Sequence, residues 1–378
     1  LPGKRVCFWG APADLPARDS DQIHWRTRLE QTGGNTGNLF IGHGLYHQTD
    51  AAMKAYHPGF STLQPGAFDD VFDCLMIPAS NFVNPELDLQ PMYDYFKQTK
   101  TPIYCFGLGS QVVPGKPIAL KPGTEAFLRL IAERCNTIGV RGAFTADVLW
   151  TMGIRNTSLT WCPSLLGLAD ETIHRLTRTR PTLEKVATNY SNNVRRHSFN
   201  PEAQRLTENS LFAAMLQNNS FYILQNEAAE FDLIEFAMGR GDRAAGHTAL
   251  SVAAKLFDVT AEQPQFRTYM ATRLRAFFAV PVWLSAMSTM SVTIGTRFHG
   301  NVASILAGTP GMVLVHDMRT LELAELFGIP HLVIDRAYRS EELIERLLSM
   351  NYCPFARRMS ALRGEWRAFS DRNGFAIP

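Results

Sequence analysis

Short apolar runs recur along the chain, each closed by a glycine or a polar turn and followed by apolar positions at helical spacing. The clearest case spans Ser291–Asp317. Ser291–Ile294 is β-branched and apolar and predicts a buried strand, and Gly295 and Thr296 predict a turn. Val302, Ile305 and Leu306 then predict a helix over Phe298–Ala307, with Gly308 as its C-terminal cap and Pro310 blocking continuation. Gly311–Val315 predicts a second buried strand, and a helix over Thr320–Phe327 follows, capped by Gly328. Strand, helix and strand in this order form a βαβ unit. The same alternation predicts strands at Arg5–Trp9, Phe72–Ile77, Pro102–Phe106, Thr137–Val140, Val186–Tyr190, Phe221–Gln225 and Leu332–Ile334, and helices at Leu39–Leu45, Ala143–Met152, Val282–Met290 and Ser340–Met350.

The fold class is therefore α/β, with two units divided at the polar, Arg-rich stretch Asp170–Pro181. Residues 1–180 and 181–340 form the two domains, and 341–378 a helical tail that crosses back onto the first. With 378 residues, 46% hydrophobic and 19% charged, the chain can bury two cores and is not a disordered protein. The net charge of +2 offers no global field for nucleic acid, so recognition of an anion has to be local. The six cysteines are scattered, without a C-x-x-C pair, and no run of about 18 apolar residues or signal peptide is visible. Reduced thiols and a cytoplasmic location are the expectation.

Candidate chemistry gathers at strand ends, where α/β proteins bind ligands. Arg297 and His299 follow one strand at a helix N-terminus, and Asp317 and Arg319 follow the next. Helix N-termini attract anions, and guanidinium forks bind carboxylate and phosphate bidentately, so the inferred ligand is an anion with one or two anionic groups. Pairing of either Arg with a local carboxylate, or a purely structural His299, is the competing reading. Arg195, Arg196 and His197 follow the first strand of the second domain, either facing the same cleft or forming a solvated charge run. In the first domain, Gly33, Gly34, Asn35 and Gly37 form a glycine-rich loop, either a phosphate approach or a plain turn. His43 and His47 lie four apart with Asp50 nearby, but no H-E-x-x-H motif supports a metal. Val112–Gly123, rich in Pro and Gly, predicts a loop at the cleft mouth.

The run GTRFHGNVASILAGTP followed by VLVHDMRTLELAELFGIP resembles the C-terminal signature of the polysaccharide pyruvyl transferase family, and ERCNTIGVRGAFTADVLWTMGI and WCPSLL resemble its first-domain segments. The resemblance implies two facing Rossmann-like domains in a GT-B-like arrangement. It also implies transfer of a pyruvyl group from phosphoenolpyruvate to a sugar of a cell-surface polysaccharide, forming a ketal and phosphate without a cofactor or metal. A glycan or lipid-linked saccharide is the implied acceptor, and a lipid-linked one would bring the protein to a membrane surface. On this reading Arg297, Arg319, Thr296, Arg195 and Arg196 hold the donor, His299 serves as acid or phosphate ligand, and Asp317 or Glu227 assists the hydroxyls. Asn35, Asn38, His43, Asn81 and Arg141, on the opposing strand ends, are assigned to the acceptor. Asn38 stands where the family carries a carboxylate, so the acidic role of that position does not carry over, and Pro78–Asn81 stands where relatives carry glycines, which points to a different acceptor. A glycosyltransferase with a nucleotide-sugar donor, or a non-catalytic carbohydrate-binding relative, are the alternatives.

Overall fold

The computed structural model describes all residues except 2, 11, 14–22, 57–62, 113–117, 192–194, 241 and 375–378. Part of the predicted Val112–Gly123 loop, and 192–194 ahead of Arg195, therefore lie outside the described residues. Twelve strands follow in chain order. They are β1 (Arg5–Phe8), β2 (Met53–Tyr56), β3 (Cys74–Pro78), β4 (Ile103–Phe106), β5 (Ile138–Val140), β6 (Thr157–Leu159), β7 (Val186–Asn189), β8 (Phe221–Leu224), β9 (Leu274–Ala276), β10 (Val292–Gly295), β11 (Gly311–Val315) and β12 (His331–Val333).

The first sheet has the order β2-β1-β3-β4 and is parallel throughout. The β5-β6 pair continues it through a bridge between Leu108 and Val140. The second sheet is parallel with the order β12-β11-β10-β7-β8-β9, a dinucleotide-type arrangement. The strand direction of winding reverses between β1 and β3 and between β7 and β10, so each sheet has its crevice at those carboxyl ends. Two Rossmann-like domains face one another across these ends in a GT-B-like fold.

Every strand expected from the pattern is present within a residue or two. β2, β6 and β9 were not predicted, because each is a short edge strand with partly exposed residues that lacks a continuous apolar run. The Arg-rich stretch at 170–181 contains a helix, Asp170–Arg178, which buries Ile173 and Leu176.

Alternation along β1 sends Val6 and Phe8 to one face and Cys7 to the other, and these faces belong to different cores. The core that holds Val6, Phe8 and Met76 also contains Phe298, Val302, Val313 and Val315 of the second domain, so one apolar body joins the two. The helix Cys353–Arg372 closes that body from outside, with Phe355, Leu362, Trp366 and Phe369 buried and Trp366 stacked on Phe106 at 6.1 Å. Each such side chain contributes about 1.5–3 kcal/mol by leaving water. The traffic also runs the other way. Trp25, Leu39 and Phe40, early in the chain, pack in the core of the second sheet, Phe40 edge-on to Trp283 at 4.9 Å. This interlock anchors both ends of the glycine-rich loop. Among the described residues no helix is long and apolar enough to cross a membrane.

Candidate active site

The site is built where β7 and β10 part. Gly295 ends β10 so close to β7 that a Cβ there would collide with the carbonyl of Asn189, which only glycine avoids. The Asn189 side chain accepts the N–H of Arg297 at 2.7 Å, fixing the turn into the helix Phe298–Leu306. Thr296 donates its hydroxyl to Glu208 at 2.7 Å, and Glu208 also accepts the Ser191 N–H at 2.9 Å and pairs with Arg195 at 3.0 Å. A fully buried carboxylate on the helix Pro201–Asn218 thus holds both strand ends.

Arg297 is buried and multiply bonded. It donates to the Tyr190 carbonyl at 2.8 Å, to Asn226, and to Glu227 at 2.5 Å. Glu227 in turn accepts the backbone N–H groups of Gln225 and Asn226 at 2.6 and 3.0 Å. The guanidinium therefore ties the ends of β7, β8 and β10 together.

His299 lies in the first turn of the same helix, half-buried, with Nε2 3.3 Å from Cys162 Sγ, which accepts the Ser164 hydroxyl at 3.2 Å. Burial, and then the charges of Arg141 and Arg319, push its imidazole well below the ordinary histidine range. The imidazole is therefore held toward its neutral form. Asp317 caps the helix Met318–Phe327 by accepting the Thr320 N–H at 2.8 Å, and pairs with Arg319 at 3.0 Å. Burial works to raise Asp317, yet Arg319, His316 and the Thr320 donors hold it at about 2.

The first domain supplies the opposite wall. Asn35 accepts the Gly37 N–H at 2.8 Å, Asn38 donates to the Thr32 carbonyl at 3.0 Å, and Thr36 donates its N–H to the Gln225 carbonyl at 3.1 Å. The glycine-rich loop is thereby stitched to the end of β8. Arg141, 3% exposed, donates to the carbonyls of Gly107 and Ala79 at 2.7 and 3.1 Å and to Asn81 at 3.1 Å. The cleft between these walls is narrow, with about 70 Å³ of open space.

The structure brings Asn35, Asn38, Asn81, Arg141, Thr296, Arg297, His299 and Arg319 onto this one cleft. Five other predicted residues stand elsewhere, each for a visible reason. Glu227 is spent on Arg297, Arg195 is turned to Glu208, and Arg196 pairs at 2.6 Å with exposed Glu86. His43 sits on the helix Asn38–Gln48 beside His47, ring centroids 4.2 Å apart, off the cleft. Asp317 opens with Arg319 onto an adjoining hollow lined by Ser110, Gln111, His197 and Phe199. Arg141, which follows β5, and Arg297 and Arg319, which follow β10 and β11, line this one cleft. Ser80, Ser191, Gln225 and Glu208 escaped the sequence reading. Gln225 ends a predicted strand and was open to detection, whereas nothing local marks Glu208. Among the described residues no group of three or more His, Cys, Asp or Glu side chains is placed to hold a metal.

A profile of the polysaccharide pyruvyl transferase family matches residues 23–318, from before the glycine-rich loop to the start of the last capped helix of the site. The chain belongs to this family of transferases. All the residues lining the cleft except Arg319 and Leu323 fall within the matched span. No curated protein matches the sequence. Among solved structures, similar chains include Anabaena Alr3699/HepE in complex with UDP and glucose, at 10% identity and a TM-score of 0.41, covering 98% of this chain and 95% of that one. A UDP-GlcNAc 2-epimerase from Methanocaldococcus jannaschii is similar at 9% identity and a TM-score of 0.43, covering 96% and 98%.

Proposed function

We propose that this family member transfers the pyruvyl group of phosphoenolpyruvate to a sugar of a cell-surface glycan, forming a cyclic ketal and releasing phosphate. The observation that carries the reading is the meeting of Arg141, Arg297 and Arg319 around a neutral histidine at a helix N-terminus. A compact donor with both a phosphate and a carboxylate suits a cleft in which guanidinium N–H groups stand beside a helix N-terminus.

The chemistry asks for two carbon–oxygen bonds to the central donor carbon. A proton goes to the donor methylene, cationic character develops at the adjoining carbon, and one sugar hydroxyl attacks it. A second hydroxyl of the same sugar then displaces phosphate. His299 faces the cleft and is the group suited to move a proton there. A bound dianion would offset the charges of Arg141 and Arg319 and raise its basicity, so that it arrives at the reaction protonated. The sugar enters through the adjoining hollow at Ser110, His197 and Phe199, which shares Arg319 with the cleft. Residues 1–180 carry the wall with Asn35, Asn38 and Asn81, residues 181–340 the helix N-terminus, and 341–378 the closing tail.

The test is phosphate release from phosphoenolpyruvate against a panel of synthetic and lipid-linked glycosides, with product ketals identified by mass. Phosphoenolpyruvate at about a hundred times its Kd should also stabilise the fold by about 2.7 kcal/mol. A melt unmoved by phosphoenolpyruvate and raised by a nucleotide sugar would replace this reading with glycosyl transfer.

A further inference from the structure

Among the described residues the His299 side chain has one hydrogen-bond partner, the Cys162 thiol, which stands 3.3 Å from Nε2. Nδ1 has none, in a residue that lines the cleft. Cys162 reaches the ring from the first domain, on a turn that follows β6 and is held in an unfavourable shape. Trp161, fully buried, has a φ of 57°, a left-handed conformation that a bulky side chain adopts only where the surroundings enforce it. Thr160 and Trp161 both donate their N–H groups to the Val140 carbonyl, at 2.9 and 3.1 Å, and Pro163 is wedged so close to Gly44 and Gly107 that a Cβ on either would collide with it. The turn fixes the Cys162 sulfur, which accepts the Ser164 hydroxyl at 3.2 Å, with both residues 1% exposed. A cysteine placed for packing behaves as a small hydrophobe and needs neither a strained turn nor two polar partners.

The charged groups facing His299 are Arg141, which follows β5, and Arg319, on the helix after β11. Both are cations and oppose a charged imidazole. Cys162, the titratable group on the remaining side, supplies the acceptor that a charged imidazole requires for its second N–H.

Resting on the transfer reaction above, we propose that Cys162 is the positioning residue of the proton transfer, its sulfur holding Nε2–H so that Nδ1 is the nitrogen that delivers the proton to the donor methylene. The Nδ1–H bond breaks and its electron pair stays on Nδ1, while the enol π pair forms the new C–H bond. The Nε2–H bond to sulfur persists throughout, and the ring ends neutral without a change of tautomer.

The experiment compares Cys162→Asp and Cys162→Ala with the wild type, thermal melts verifying the fold. A general acid works only while protonated, so kcat for phosphate release falls as pH rises through the pKa of the donor complex. Cys162→Asp sets a carboxylate beside Nε2 and should move that fall to higher pH by about one unit. Cys162→Ala removes the acceptor and should move it to lower pH, with kcat near pH 7 reduced about tenfold, the ratio for one charge-assisted hydrogen bond, and the KM for phosphoenolpyruvate within a few-fold. Nitrogen-15 spectra of the wild type, with His299 identified by its loss in His299→Gln, should place the proton of the neutral ring on Nε2. Profiles that coincide with the wild type or shift in one common direction, or a neutral ring protonated on Nδ1, overturn the proposal. A wild type that releases no phosphate from phosphoenolpyruvate with any glycoside overturns the proposed function and the proton-transfer role with it, whereas an active wild type with any of those results overturns only the role of Cys162.

Discussion

Glu227 Oε1 lies 2.5 Å from Arg297 Nη2, with both side chains almost wholly buried. The pair joins the loop after β8 to the turn after β10, so it governs the shape of the second-domain wall rather than offering a free base. Removing one partner of a buried pair leaves an uncompensated charge. Glu227→Ala should therefore cost about 3–5 kcal/mol in urea denaturation. Near-normal stability combined with lost turnover would instead make Glu227 a proton acceptor.

His299 is the group placed to handle the proton. His299→Ala should lower turnover by roughly a hundredfold to ten-thousandfold while the KM for phosphoenolpyruvate moves only a few-fold. Turnover within a few-fold of wild type would make the imidazole a structural partner of Cys162.

Donor binding should charge that imidazole. Burial and the two arginine charges depress its pKa, and a dianion cancels the second of these causes. Calorimetry near pH 7 in buffers of different ionisation enthalpy should show proton uptake of up to about one per donor bound. His299→Gln should abolish the uptake, and heats independent of the buffer in the wild type would contradict the mechanism.

Gly37 packs against the second domain so closely that a Cβ would collide with the Gln225 side-chain oxygen and lie 2.9 Å from His299 Cβ. Its φ of −59° suits any residue, so Gly37→Ala strains the contact and not the backbone. Displacing the loop or the imidazole should reduce kcat/KM by about tenfold to a hundredfold. Unchanged kcat/KM in a folded variant would show that this approach is not needed for catalysis.

Stability should fall on the acid side. Burial, with further contributions from nearby charges, holds His299 and His316 below the ordinary value of 6.5, and His197 in the same direction. Below that value the unfolded chain binds protons the folded one refuses, so their contribution is complete above 6.5 and is lost as pH falls through it. Glu322 acts oppositely. Burial, then Asp147, raise it to about 7 against the pull of the Phe144 N–H it accepts at 2.6 Å, and its contribution is present below its ordinary 4.5 and lost as pH rises through 7. Urea midpoints should drop between about pH 7.5 and 5.5, and more steeply in Glu322→Gln. A flat or rising acid limb in that variant would refute the histidine assignment.

The sequence by itself determined the α/β class, the main strands, the family and the segment Thr296–His299. Those features are local. Buried parallel strands must be continuously apolar, helix ends announce themselves through Gly308, Gly328 and Pro310, and the residues after a strand necessarily stand at its carboxyl end. Partnership is what the tertiary structure decided. Arg297, Arg319 and Arg141 read alike along the chain, but only packing reveals that the first two are paired with carboxylates while the third donates to two carbonyls and an amide. Glu208 and Gln225 became part of the site because a helix and an adjacent strand delivered them to it from far along the chain, a consequence of the order β10-β7-β8 that no local pattern encodes. Trp25 and Phe40 likewise cross into the second core, since the glycine-rich loop between them is held by contacts with Gln225 and His299 that exist only after the domains meet.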